Sequence, residues 1–162
     1  MDRLIAWLPG ACPADSGAAI VHGDFRLDNL IFARAVPSVL AVLDWELSTL
    51  GHPFADLAYQ CMHGRLPHSS VFRGLEGVDR ASLGIPSERD YVRAYCDRRG
   101  LGGIANWPFH LAFSFFRLAA ICQGVYKRAL DGNASNPERA RLYGAEVKLL
   151  ARLAVELAEE QS

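Results

Sequence analysis

The sequence predicts an α+β fold, mainly α, in which one helical lobe carries a small β-hairpin, and three observations predict it. Two long segments, Trp107 to Leu130 and Pro137 to about Glu159, hold apolar residues at helical spacing. Two short apolar runs, Leu30 to Ala33 and Val39 to Trp45, are separated by a turn around Pro37 and Ser38 and read as paired strands. The chain has 162 residues, 51% of them hydrophobic, enough for one sizeable core and one domain.

The elements follow in order. Met1 to Leu8 reads as the end of a helix, with Leu4, Ile5 and Leu8 on one face and Pro9-Gly10 as its stop. Ala11 to Ala19 reads as a loop. After the hairpin, Pro53 to about His63 reads as a helix, with Phe54, Leu57, Ala58 and Cys61 spaced for burial. From Gly64 to Pro86, glycines at 64, 74, 77 and 84 and prolines at 67 and 86 break the pattern into an irregular loop, of the kind that touches substrate near a cleft. Ser87 to Arg99 reads as a helix with Ser87 as N-cap, Gly100 as stop, and Tyr91, Val92 and Tyr95 on the packed side. The last helix carries a stripe of Leu142, Leu149, Leu150, Leu153 and Leu157. Its Arg139, Arg141, Lys148, Arg152, Glu156, Glu159 and Glu160 read as a solvated face, and its acidic end as frayed.

Trp107 to Leu130 is apolar around most of its circumference, which places it in the middle of the lobe. One stripe interrupts it: His110, Ser114, Arg117, Gly124 and Arg128 share a narrow arc, with Ile121 as the apolar member. A buried arginine needs a partner, so Arg117 either meets a carboxylate inside the fold or faces a wet cleft. In the second case His110, Ser114 and Arg117 form a substrate-binding stripe suited to an anionic group.

Composition excludes several classes. A net charge of -1 gives no reason to expect nucleic acid or an anionic membrane as partner. Cys12, Cys61, Cys96 and Cys122 are widely spaced, without zinc spacing, and read as reduced thiols in a cytoplasmic protein. No signal-peptide pattern opens the chain, and no run is expected to reach transmembrane length.

The chemistry is concentrated between Ile20 and Ala58, in IVHGDFRLDNLIF and VLAVLDWELSTLGHPFADLA. His22, Asp24 and Asn29 form an H-x-D-x-x-x-x-N run, and Asp44 follows the second apolar segment. Phosphoryl transfer needs a carboxylate to orient and deprotonate the attacking hydroxyl, and oxygen ligands to hold Mg²⁺ against nucleotide phosphates. Asp24 suits the first role. Asn29 and Asp44 suit the second, and a hairpin would return Asp44 towards Asn29. For Asp56 a plain helix-start carboxylate is the competing reading, for His22 a buried histidine bonded to backbone, and for His52 a loop residue before Pro53.

These residues resemble the C-terminal lobe of the aminoglycoside phosphotransferase and choline kinase group, within the wider protein-kinase-like fold. In particular they resemble phosphotransferase domains found alone or fused to acyl-CoA dehydrogenases, where strings such as VHGDFRLDNLIF and LAVLDWELSTLGHP are typical. The resemblance implies a kinase-like C-lobe using Mg²⁺ and ATP, with Asp24 as catalytic base, Asn29 and Asp44 on Mg²⁺, His22 ordering the loop, and Asp56 holding the loop backbone. Two departures from protein kinases stand out: D-F-G is Asp44-Trp45-Glu46 here, and Arg26 replaces a common lysine. Glu46 thereby becomes a further candidate metal ligand, and Arg26 a candidate to neutralise the transferring phosphate.

The phosphate-gripping N-terminal lobe is expected to be absent from this chain, because only 21 residues precede His22 and both lysines, Lys127 and Lys148, lie far downstream. The implied reaction is γ-phosphoryl transfer from ATP to a small-molecule hydroxyl, with a hydroxylated acyl thioester or an aminoglycoside as candidate acceptors. Two other classes stay open: a non-catalytic kinase-like lobe acting as a binding module, and a metal-dependent phosphohydrolase using His22, Asp24, Asp44 and His52. A lobe without its partner would expose apolar surface, which predicts self-association into a homo-oligomer.

Overall fold

A computed structural model describes residues 1–13 and 17–160; the expected loop from Ala11 to Ala19 and the frayed C-terminus therefore lie partly outside the described residues. Among the described residues five α-helices run α1 Asp2–Ala11, α2 Ala55–His63, α3 Glu88–Arg99, α4 Trp107–Leu130 and α5 Pro137–Glu159. Four short strands, β1 Ala19–Val21, β2 Leu30–Phe32, β3 Val39–Val42 and β4 Thr49–Gly51, lie between α1 and α2.

The helical half is built around α4. Its Leu111, Ala112, Phe115 and Ala119 are wholly buried against Leu57, Ala58 and Met62 of the α2 face and Leu150, Ala154 and Leu157 of α5, with Leu4 of α1 closing one end. Each such large side chain contributes about 1.5–3 kcal/mol through burial. The helix ends follow local chemistry. Ser87 accepts from the Asp90 amide at 3.1 Å, Asn136 accepts from the Arg139 amide at 3.0 Å ahead of Pro137, and Gly100 ends α3 in the left-handed region at φ 65°.

Three expectations need correction. Pro9 does not stop α1, which continues to Ala11; a proline near a helix end removes only one ladder bond. By length and composition α4 is apolar enough to cross a membrane, contrary to the expectation that no run would be, and half of that stretch is buried within this fold. Glu146 was not among the residues expected inside, yet it is buried on α5, where it accepts from Ser70 Oγ at 2.8 Å and the Val71 amide at 3.2 Å. It thereby ties the irregular 64–86 loop to the helices.

The strands form two separate antiparallel ribbons nested in sequence. β2 pairs with β3, with Leu30 opposite Val42, as the hairpin reading expects; β1 pairs with β4 outside it, with Ile20 opposite Leu50. A single long hairpin is thus interrupted on both sides at the same level. The interruptions are the loops at 22–29 and 43–48, and the nesting sets one across from the other.

Candidate active site

The first loop is fixed by its backbone. Asp56, in the first turn of α2, accepts the His22 amide at 2.6 Å and the Gly23 amide at 3.0 Å, one on each carboxylate oxygen. Charged acceptors make the stronger class of hydrogen bond, and the N-terminal end of α2 favours the negative charge. Both competing readings of Asp56 therefore hold together: it is a helix-start carboxylate and it grips the loop.

His22 is buried and committed at both ring nitrogens. Nε2 lies 2.7 Å from the Leu43 carbonyl, and Nδ1 accepts the Asp24 amide at 3.2 Å, which sets the neutral tautomer with its proton on Nε2. His22 thus spans the two loops, and the Trp45 ring packs on it at 4.7 Å between centroids. The loops also meet at Gly23. Its φ is +85°, and a Cβ there would stand 2.5 Å from the Leu47 carbonyl oxygen, so only glycine fits.

Asp24 is half-buried at the head of this loop. Asn29 Nδ2 donates to both its backbone carbonyl at 2.9 Å and its carboxylate Oδ2 at 3.1 Å, which closes the loop on itself. Arg26 Nε stands 3.5 Å from the same oxygen, while its Nη2 is 3.7 Å from Asp28. The Asn29 amide nitrogen is therefore turned to Asp24, leaving the amide oxygen as its other donor atom. Across the ribbon, the Leu43 amide donates to the Asn29 carbonyl at 2.8 Å, which brings Asp44 to the end of the hairpin that carries Asn29. Asp44 is exposed and left-handed at φ 66° and ψ 52°, a conformation that aspartate tolerates better than most residues. Glu46 follows, exposed, in the short 3₁₀ turn Trp45–Leu47.

Two helices reach the loop from below. Tyr59 lies three residues after Asp56 and so shares its face of α2. It is buried, and burial first, then the nearby Asp24 carboxylate, push its ionisation up to about 12. From α4, Arg117 donates through Nη2 to the Gly23 carbonyl and sets its guanidinium over the Tyr59 ring, 4.5 Å from the centroid. Arg117 is partly exposed, and among the described residues its partners are a carbonyl and a ring rather than a carboxylate. The other two residues of the expected stripe, Ser114 and His110, are buried. Ser114 is buried with its hydroxyl returned to the His110 carbonyl at 2.9 Å. His110 is 6% exposed among His52, Phe54 and Phe109, and burial, then the nearby His52, lower its pKa to about 4. His52 itself accepts the Phe54 amide at 3.3 Å.

Nested ribbons on a helical lobe, setting an H-x-D-x-x-x-x-N loop against a D-W-E loop, define a kinase-like phosphotransferase fold. The sequence profile of the phosphotransferase enzyme family (APH) matches residues 1–95, and the chain belongs to that family. It is 52% identical over 99% of its length to acyl-CoA dehydrogenase family member 10 of Mus musculus, and 41% identical over 98% to family member 11 of Homo sapiens. It covers 15% and 20% of those relatives. A crystal structure of a proposed aminoglycoside phosphotransferase from Ralstonia eutropha superposes with a TM-score of 0.91 at 46% identity, over 98% of this chain and 48% of that one.

Proposed function

We propose that this chain carries the catalytic loop of an ATP-dependent phosphotransferase that moves the γ-phosphoryl group of ATP to a hydroxyl of a small molecule. The observation that carries the reading is the arrangement of Asp24: its carboxylate is held by Asn29 from within the loop, and the peptides before it are clamped by Asp56. Asp24 orients the acceptor hydroxyl and takes up its proton as the oxygen attacks phosphorus. Arg26, beside that carboxylate, offers positive charge to the phosphoryl oxygens in transit.

The donor set near the loop suits Mg²⁺, which prefers oxygen and takes one or two carboxylates with phosphates and water. Asn29 and Asp44 would hold it, with Glu46 as a further candidate. When bound with the nucleotide, the ion supplies charge neutralisation between phosphates. The phosphohydrolase alternative is less well supported, because both ring nitrogens of His22 are taken by backbone groups and the His52 ring lies tilted against that of His110. The names of the dehydrogenase relatives favour a hydroxylated acyl thioester as acceptor, and the name of the solved relative favours an aminoglycoside.

Calorimetric titration with Mg²⁺-ATP, beside an Asp44→Asn variant, tests the reading. Binding by the parent chain and its loss in the variant are expected; binding that survives in the variant removes Asp44 from the site. The same reading has the apolar ribbon faces buried against another surface, which for the isolated chain is a second copy. Light scattering at micromolar concentration should then find more than a monomer.

A further inference from the structure

We propose that Arg117 of α4 is a positioning residue for Asp24: by holding the Gly23 carbonyl it fixes the peptide unit that joins Gly23 to Asp24, and with it the direction in which the carboxylate leaves the loop. The proposal rests on Asp24 being the base. A peptide unit is planar and turns as one body, so a grip on its carbonyl is also a grip on the N–H at its other end. In the unit between Gly23 and Asp24 both ends are held. Arg117 donates through Nη2 to the Gly23 carbonyl, and the Asp24 amide donates to His22 Nδ1 at 3.2 Å. Asp56 acts earlier, on the amides of His22 and Gly23, and Asn29 acts later, on the Asp24 carbonyl at 2.9 Å. Among the described residues Arg117 is therefore the contact by which the helical half reaches the unit directly before Asp24.

The setting of Arg117 suits holding rather than charge pairing. Among the described residues no carboxylate stands within ion-pair range of it, and its Nε is buried without a hydrogen-bond partner. A buried donor left unmatched is costly, so the guanidinium is placed by something other than its own donors. Its face lies over the Tyr59 ring, 4.5 Å from the centroid, while one edge nitrogen reaches the Gly23 carbonyl. A flat cation can do both at once, resting on a ring and donating from its edge, which a lysine ammonium cannot. Gly23 supplies the other half of the arrangement. At φ +85° it presents its N–H to Asp56 of α2 and its C=O to Arg117 of α4, so two helices grip the residue that leads into the base.

The test combines amide hydrogen exchange with Mg²⁺-ATP turnover, water as acceptor, on the parent chain and its Arg117→Met, Arg117→Lys and Asp24→Asn variants. In Arg117→Met the amides of His22, Gly23 and Asp24 should exchange about tenfold faster while those of α4 and α5 stay within about twofold. Arg117→Lys should recover part of that protection. In turnover, Arg117→Met should lower kcat by about tenfold with KM for ATP within about twofold, and should add nothing in the Asp24→Asn background. Loop amides protected as in the parent, or loosened only as much as those of α4 and α5, overturn the positioning role, as does Arg117→Met at the parent rate. An Asp24→Asn variant at the parent rate overturns the base assignment instead. If the parent chain turns over no ATP, the exchange arm decides.

Discussion

The helical half and the ribbon half of this molecule are ordered by different forces. Around α4 the order comes from burial: Leu111, Phe115 and Leu150 have no exposed surface. The ribbons have almost no interior of their own. Ile20 and Leu50, directly paired across β1 and β4, are 75% and 73% exposed, and Phe32 and Val39 across β2 and β3 are about half exposed. Yet the ribbon half holds the two loops of the candidate site. The difference teaches that the candidate site takes its order from the helices through two polar anchors: Asp56 of α2 and Arg117 of α4.

Five measurements would sharpen or break this contrast. Phe115→Ala, in the centre of the helical half, should cost about 3–5 kcal/mol in chemical denaturation, since it removes a fully buried ring and leaves a cavity. A loss below about 1 kcal/mol would mean that the core does not carry the fold. Next in size is His110, whose pKa is lowered to about 4 by burial and then by His52. A depressed histidine contributes stability that is present above its unfolded value of about 6.5 and is lost as pH falls towards 4, here up to about 3 kcal/mol. His110→Leu should flatten the fall of melting temperature over that window, and an unchanged slope would assign the acid sensitivity elsewhere.

Asp56→Asn should cost less stability, about 1–2 kcal/mol, because one of two charged-acceptor bonds is replaced by a neutral one and the other is lost. Its effect on Mg²⁺-ATP turnover should be larger than its effect on melting, whereas a variant that unfolds without a separate activity loss would make Asp56 merely structural. The smallest effect is expected at Arg152→Ala, which breaks an exposed pair with Glu156 at 3.3 Å and should stay within about 0.5 kcal/mol. Hydrogen exchange gives the same contrast without mutation. Amides of α4 and α5 should be the slowest and those of β1 and β4 among the fastest, with His22 and Gly23 protected out of proportion to their ribbon. Equal protection across the two halves would dissolve the distinction.

Much of this was legible from residue order. The bounds of α3, α4 and α5 could be read because caps and helical spacing agree there, as at Ser87 and Gly100. The β2–β3 hairpin was legible from two apolar runs about a turn. The β1–β4 ribbon was not, because each strand has only three residues, with Ile20 and Leu50 exposed and Val21 buried, too short a run for an alternation to be read. Tyr59 was missed although its i, i+3 spacing from Asp56 was available. Spacing shows that two residues share a helix face but not that Arg117 of a distant helix lies over it. Arg117 was recognised as needing a partner, but sequence offers carboxylates as candidates and is silent on carbonyls and ring faces. Glu146 was indistinguishable from the solvated charges of α5, since its partners lie in an irregular loop 75 and 76 residues away.

Gly23 has a mechanical meaning beyond its torsion angle. With no side chain there, the backbone of the 22–29 loop lies directly against that of Leu47, and the intrusion of even one methyl group would force the two apart. The loops therefore cannot slide past each other; a displacement at residues 44–48 is delivered at once to the peptide that leads into Asp24. A change at Asp44 would in this way reach Asp24 by backbone against backbone at Gly23, beside the side-chain link that His22 makes between the same loops.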